Sequence, residues 1–264
     1  MLPDYHLHTT LCKHASGTPA EFRQAALSLQ IPEICFTDHA PNPHGVGQDV
    51  CMATSQFPQY RQAIQALQDG KAPAVFFGVE ADYYIGCEDH LRAWLPDQDF
   101  DFVLGSVHFI DNWAFDDPKE LSLWQSADVT ATWRKYFALL GRMAQSGLFD
   151  AVAHLDLPKK FGHRPPEQQL KEMAQPALDS IAAAGMTIEI NTAGLRKPVA
   201  EIYPSPLLLT LARKRGITIC FGSDAHGPED VGYAFDSALA LARNAGYREY
   251  ARFRKRRPEP WPLP

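Results

Sequence analysis

No stretch of the chain approaches the ~18–20 uninterrupted apolar residues that a bilayer span needs. The opening MLPDYHLHTT has neither a basic n-region nor an apolar core, so no secretory leader is expected. Paired thiols are missing too: the five cysteines, at positions 12, 35, 51, 87 and 220, form no CxxC spacing and are odd in number. That count argues against a disulfide framework and an all-thiolate zinc site, and a reducing cytoplasm is the expected location. Nor is there an excess of positive charge, because 25 Lys and Arg stand against 31 Asp and Glu for a formal net charge of −6. Such a chain is not built to neutralise phosphate backbones, and neither nucleic acid nor a membrane is an expected partner. Common covalent and nucleotide-binding signatures are absent as well. There is no DxDx[TV] string, no GxSxG elbow and no Walker A loop, and Cys12 opens CKHASGT without the Arg that a cysteine-phosphatase loop needs. GVGQDV at 45–50 mimics part of a glycine-rich dinucleotide fingerprint but follows no strand–turn–helix context.

What is present is a globular composition, 45% hydrophobic and 21% charged over 264 residues, long enough to bury a sizeable core. Short apolar runs alternate with amphipathic stretches. The runs are Tyr5–His8, Ile34–His39, Ala74–Tyr83, Phe102–Ile110, Ala151–Leu155, Thr187–Thr192 and Thr218–Ser223. Several are continuous and rich in β-branched or aromatic residues, as strands buried on both faces are. Thr18-Pro19-Ala20-Glu21 forms a capping box that opens a helix through about Leu29. Phe57–Leu67, Thr130–Gln145, Glu167–Ala184, Pro206–Arg215 and Glu229–Ala245 share the helical period, as does Cys87–Leu95 less regularly. Gly147, Gly185, Gly216 and Gly246 are expected helix stops. Seven strands alternating with helices predict an α/β fold of parallel βαβ units, closed as a barrel or open as a doubly wound sheet. No linker or change of composition divides the chain, so one domain over 1–264 is expected.

The chemistry-bearing residues cluster at the ends of these runs. Seven of the ten histidines (6, 8, 14, 39, 108, 154 and 226) close a predicted strand or lie just beyond it, leaving only His44, His90 and His163 elsewhere. In parallel α/β folds that edge is where active sites form. His6 and His8 share a face of one extended strand, as do Asp224 and His226 at the other end of the chain. Imidazole with carboxylate and no thiolate suits zinc, iron or manganese. Nine candidate ligands, His6, His8, His14, His39, Glu80, His108, His154, Asp224 and His226, are too many for one tetrahedral ion. They match three ions with three or four protein ligands each, bridged by a carboxylate and by water.

These strings, in this order, resemble the PHP (polymerase and histidinol phosphatase) family, and within it the monofunctional histidinol-phosphate phosphatases. The resemblance spans the chain: HLHT at 6–9, His14, TDH at 37–39, GVE at 78–80, SVH at 106–108, AHLD at 153–156, EINTAGLRK at 189–197 and GSDAH at 222–226. It implies a distorted (β/α)7 barrel, TIM-like, with a trinuclear metal site at the C-terminal ends of the strands. One ion would be held by His6, His8, Glu80 and Asp224, with Glu80 bridging to a second on His108 and His154. The third would rest on His14, His39 and His226. The implied activity is hydrolysis of L-histidinol phosphate to L-histidinol and phosphate in histidine biosynthesis. The alternative is a phosphoesterase of the same family acting on a nucleotide, an oligonucleotide or another small ester.

Clustered divalent ions would suit such an ester, because they lower the pKa of a bridging water and stabilise charge on the attacking and leaving oxygens. In-line attack of a metal-bridging hydroxide, held by Glu80 and Asp224, is the expected route, with no phosphoenzyme. Phosphate oxygens call for cations beyond the metals, and Arg196 in the loop after the sixth strand is the best placed. Lys160 is expected to assist, with Lys159 and Arg164 as neighbouring charges. An acid for the substrate ammonium is expected at Asp116, with Glu88, Asp111 and Asp117 as alternatives. Asp38 and Asp156 sit beside ligand histidines and either orient imidazoles or cap loops. Trp133, Tyr136 and Phe137 read as core, and Cys35 and Cys220 as inert buried thiols. The basic run Arg252–Arg257 reads as a solvated helix end.

Overall fold

The computed structural model describes residues 1–264. Strands β1 (Asp4–Leu7), β2 (Glu33–Phe36), β3 (Ala74–Asp82) and β4 (Phe102–Ser106) come first, followed by a small hairpin of β5 (Phe109–Ile110) and β6 (Trp113–Ala114). Then come β7 (Ala151–Val152), β8 (Thr187–Asn191) and β9 (Ile219–Gly222), and last a hairpin of β10 (Glu249–Arg254) and β11 (Arg257–Pro262). The helices are α1 (Pro19–Ser28), α2 (Phe57–Gln65), α3 (Glu88–Trp94), α4 (Val129–Ser146), α5 (Glu167–Ala183), α6 (Pro206–Lys214) and α7 (Phe235–Asn244).

Seven strands form one parallel sheet in the order β1-β2-β3-β4-β7-β8-β9. The two ends meet: Leu7 bridges to Ala225 in parallel, His8 N–H donates to the Ala225 carbonyl at 3.0 Å, and Ala225 N–H donates to the His6 carbonyl at 3.1 Å. The wall is therefore nearly closed, with the helices between successive strands, and it matches the distorted TIM-like barrel that was expected. The C-terminal strand ends carry His6, His39, Glu80, His108, His154 and Asp224 onto a single rim. No helix is long and apolar enough to cross a membrane.

Local chemistry accounts for the helix ends. Thr18 accepts from Glu21 N–H while the Glu21 carboxylate takes Thr18 N–H, which closes the capping box of α1. Asp128 caps α4, and Gly147 stops it in the left-handed conformation at φ 68°. Along α4, Trp133, Tyr136, Phe137 and Leu140 recur at helical spacing and bury one face against the barrel. Helix α7 starts later than its pattern predicts. Gly232 and Ala234 both adopt positive φ, 64° and 54°, and Gly232 N–H is held by the Asp4 carboxylate at 2.9 Å, so helical geometry begins only at Phe235.

Two separate cores result. The larger fills the space between strands and helices. The smaller lies inside the barrel, where Tyr5, Cys35, Phe102, Leu104, Ala151 and Cys220 meet Ala251 and Phe253 from β10. The Phe253 ring sits 4.4 Å from that of Phe102 and 5.7 Å from that of Tyr5, so the C-terminal hairpin stoppers the N-terminal mouth. This corrects the expectation of a solvated helix end at Arg252–Arg257. Ala251 and Phe253 point inward while Arg252 and Arg254 pair with Glu33, and Lys255 and Arg256 form the two-residue turn with φ 47° and 65°. That turn bridges to Asp99, Asp101 and Asp150, carboxylates in the loops that enter β4 and β7.

Candidate metal centre

Glu80, near the end of β3 and 1% exposed, is the hub of the rim. Its Oε2 lies 3.1 Å from His39 Nδ1, 3.3 Å from His6 Nε2 and 3.7 Å from His8 Nε2. Its Oε1 lies 3.2 Å from His154 Nε2 and 3.7 Å from His108 Nε2. Asp224, after β9, places Oδ1 3.2 Å from His8 Nε2 and 3.8 Å from His6 Nε2. The imidazoles continue outward: His8 stacks on His226 with centroids 4.1 Å apart, and His226 on His14 at 4.5 Å. All nine candidate ligands thus meet at the C-terminal mouth. Two of them sit on unusual backbone, His154 at φ 26° and Asp224 at φ 53°, a conformation that non-glycine residues keep only where their surroundings enforce it.

Carboxylates and carbonyls behind the rings set their tautomers. His6 Nδ1–H donates to Glu189 Oε1 at 2.7 Å, His108 Nδ1–H to Asp82 Oδ1 at 2.7 Å, His14 Nδ1–H to the Cys12 carbonyl at 2.7 Å and His226 Nδ1–H to the Asp224 carbonyl at 3.1 Å. Each bond leaves the opposite nitrogen, Nε2, with a free lone pair, as ring nitrogens that bind metal require. Asp38 Oδ1 stands 3.5 Å from His8 Nδ1 and also takes His39 N–H, which fits the expected orienting role. Asp156 does not: it binds Lys159 Nζ and Ser205 N–H, both at 2.9 Å, and reaches no imidazole. The sequence reading missed Glu189 and Asp82 as orienting acids. Asp82 shares a strand face with Glu80, two residues on, but no local feature sets either acid apart; tertiary packing alone brings them to the rings.

Room for Glu189 depends on Gly222. A Cβ there would fall 2.0 Å from Glu189 Oε1 and 2.6 Å from His6 Cβ, so only glycine lets β9 pass this pair.

The donor set fits cations better than it fits itself. His6 Nε2, both ring nitrogens of His8, His154 Nδ1 and His226 Nε2 are buried without a well-formed hydrogen bond, an arrangement that protein alone does not satisfy. Groups of three donors within 4.8 Å of one another include His6–His8–Glu80, His39–Glu80–His108 and His8–His39–His226. The expected outer trio of His14, His39 and His226 does not close as one such group; His14 joins His226 and the sulfur of Cys12 instead.

The electrostatics divide in two. Burial alone would raise Glu80, but His6, His39 and His108 hold its carboxyl well below the usual range. Burial likewise opposes charge on His8 and His108, yet their carboxylate neighbours lift them to about 9 and about 10. The outer rings behave oppositely: burial, with His39 and His8 nearby, pushes His14 down to about 4, and burial with His8 keeps His226 well below its ordinary value.

Next to the centre stand the groups expected to meet an anionic substrate. Arg196 Nη2 donates to the Ser223 and Asp224 carbonyls at 2.9 and 3.1 Å, Nε faces Asp230, and buried Nη1 has no partner. Lys160 Nζ pairs with the Asp116 carboxylate at 2.9 Å. Burial would raise Asp116, but Lys160 and then His108 hold it below the usual carboxylate range. The alternatives are engaged elsewhere: Glu88 accepts from Tyr83, Asp111 pairs with Lys135, and Asp117 caps the Lys119 N–H. Lys159 is buried on Asp156 and the Ile202 carbonyl, and Arg164 pairs with Glu201.

Comparison with known proteins identifies the family of the chain. The family model described as PHP domain matches residues 4–193, and one described as PHP-associated matches residues 208–235. A "Probable histidinol-phosphatase" of Deinococcus radiodurans is 45% identical over 261 residues, covering 98% of this chain and 99% of its own. The histidinol-phosphatase of Bacillus subtilis is 30% identical, covering 89% of this chain and 97% of its own. In fold, the crystal structure of the Lactococcus lactis histidinol phosphate phosphatase, complexed with zinc, L-histidinol and phosphate, superimposes with a TM-score of 0.84 at 23% identity, covering 98% of each chain. The chain belongs to the PHP-domain family and, within it, to the histidinol-phosphatases.

Proposed function

We propose that this chain, as one domain over 1–264, hydrolyses L-histidinol phosphate to L-histidinol and inorganic phosphate. The observation that carries the reading is the convergence of nine imidazole and carboxylate donors on one barrel mouth, with the unpaired Nη1 of Arg196 beside them. Three divalent ions, drawn from zinc, iron and manganese, fit the donor set. His6, His8, Glu80 and Asp224 would hold the first, Glu80, His108 and His154 the second, and His14, His39 and His226 contribute to the third. When bound, such ions supply Lewis acidity, neutralise phosphoryl charge and make water acidic near neutral pH.

The protein's own groups do the rest. Arg196 directs Nη1 to a phosphate oxygen while its other nitrogens are pinned by the rim, so the guanidinium is oriented before substrate arrives. Asp224, more exposed than Glu80, orients an attacking water. Asp116 meets the ammonium of the substrate, which releases Lys160 towards the phosphate. Glu189, Asp82 and Asp38 hold the rings that face the ions.

Protein purified with its metals should release phosphate from L-histidinol phosphate far faster than from p-nitrophenyl phosphate or a nucleotide. Equal rates on all three would overturn the substrate assignment.

A further inference from the structure

Arg196 is gripped from a second loop. Between β9 and α7 the chain supplies Asp230, whose Oδ1 lies 3.4 Å from Arg196 Nε, and Tyr233, whose ring centroid lies 5.0 Å from the guanidinium carbon. Nη2 is spent on the Ser223 and Asp224 carbonyls. Only Nη1, buried without a partner, is left over. Tyr233 is itself 40% exposed, so core packing does not explain its place. An aromatic ring at this distance attracts the cation and limits its swing.

The loop is built to keep the ring there. Gly232 and Ala234, on either side of Tyr233, both adopt positive φ, and Tyr233 N–H donates to the Asp230 carbonyl at 3.1 Å. The buried Asp4 carboxylate accepts from Gly232 N–H and from Ser223 N–H, each at 2.9 Å. One acid thereby registers the loop that carries Tyr233 against the residue whose carbonyl receives Nη2.

We propose that Tyr233 and Asp230 are positioning residues for the phosphoryl group. They hold the Arg196 guanidinium still with Nη1 as its single free donor, so one non-bridging oxygen of the ester meets a donor already aimed at it. An arginine fixed in this way loses little rotamer freedom when the anion arrives, which strengthens binding without any contact from Tyr233 or Asp230 to the substrate. The proposal rests on the assignment of Arg196 to the phosphate.

Binding of inorganic phosphate to metal-loaded protein, followed by calorimetry, tests the clamp without reference to the organic half of the ester. Tyr233→Leu and Asp230→Asn should each weaken phosphate ~3–10-fold and raise KM for L-histidinol phosphate to match, with kcat within about twofold of the parent. Tyr233→Phe should restore the parent values, because the ring and not the hydroxyl meets the guanidinium. In an Arg196→Ala background Tyr233→Leu should add nothing, since a residue that acts through Arg196 has nothing left to position. An equal loss from Tyr233→Leu with and without Arg196 overturns the clamp, as does unchanged phosphate affinity in both single variants. If Arg196→Ala leaves phosphate affinity untouched, the assignment of Arg196 falls and the clamp falls with it. Should one variant not fold, the other still decides, because Tyr233 and Asp230 reach Arg196 through different atoms.

Discussion

Glu189 Oε1 lies 2.7 Å from His6 Nδ1, and both side chains are buried. The same carboxylate takes the His154 N–H at 3.0 Å and Asn191 Nδ2 at 2.9 Å through Oε2. One acid from β8 therefore fixes ligands on β1 and after β7. Glu189→Ala should weaken metal affinity ~10–100-fold, read by chelator competition. Turnover should recover largely at saturating metal; unchanged affinity would show that the ring needs no such support.

Gly222→Ala tests the same pair from the other side. The added Cβ collides with Glu189 and His6, and overpacking of this kind costs ~1–3 kcal/mol. The expected outcome is a lower denaturation midpoint together with loss of bound metal. A variant as stable and as metal-replete as the parent would mean that β9 can move aside.

Arg196→Ala removes a charge-assisted contact of ~1.5–3 kcal/mol to phosphate, so kcat/KM should fall ~10–100-fold, mainly through KM. Arg196→Lys should restore only part, because an ammonium cannot keep both rim carbonyls and reach the ester. Metal content measured in parallel should stay constant in both variants.

Stripping the metals should make stability depend on pH. Burial disfavours charge on His8 and His108, but Asp224 and Asp38 beside the first, and Asp82 and Glu80 beside the second, raise them to about 9 and about 10 in the ion-free chain. Both values exceed the ~6.5 of an unfolded histidine. Their contribution is therefore complete below pH ~6.5 and is lost as pH climbs through 9 and 10. The melting temperature of chelated protein should fall across that alkaline range, while metal-loaded protein, its rings already neutral, should change far less. A flat or rising curve for the chelated form would contradict this.

Phe253→Ala removes the ring that stoppers the barrel against Phe102 and Tyr5, and a loss of ~3–5 kcal/mol is expected from chemical denaturation. Arg196 and the metal ligands lie at the opposite mouth, so specific activity of the folded fraction should be retained.

The rim was legible because period two and a run of strand-terminal histidines carry their own meaning: His6, His8, Asp224 and His226 fall on one mouth as their spacing predicts. The seven strands were legible for a similar reason, being continuous apolar runs. The orienting acids were not. Glu189 and Asp82 differ in no local way from other strand carboxylates, and only their distance to a ring, set by tertiary packing, reveals their role. Of the two roles open to Asp156 the structure shows loop hydrogen bonding, since adjacency to His154 in the chain does not place it beside the ring when the backbone turns at φ 26°. The last hairpin hid behind its turn. Lys255 and Arg256 both take positive φ, where Asn-Gly is the usual signal, and three carboxylates of the barrel floor hold them there.

That hairpin also dictates the order of assembly. Because Ala251 and Phe253 fill space enclosed by strands from the first residues onward, a ribosome that has delivered only β1 to β9 has delivered a tube with a hollow base. The base is filled only once β10 has been made and tucks beneath Tyr5, so closure of the barrel floor follows synthesis of all seven wall strands.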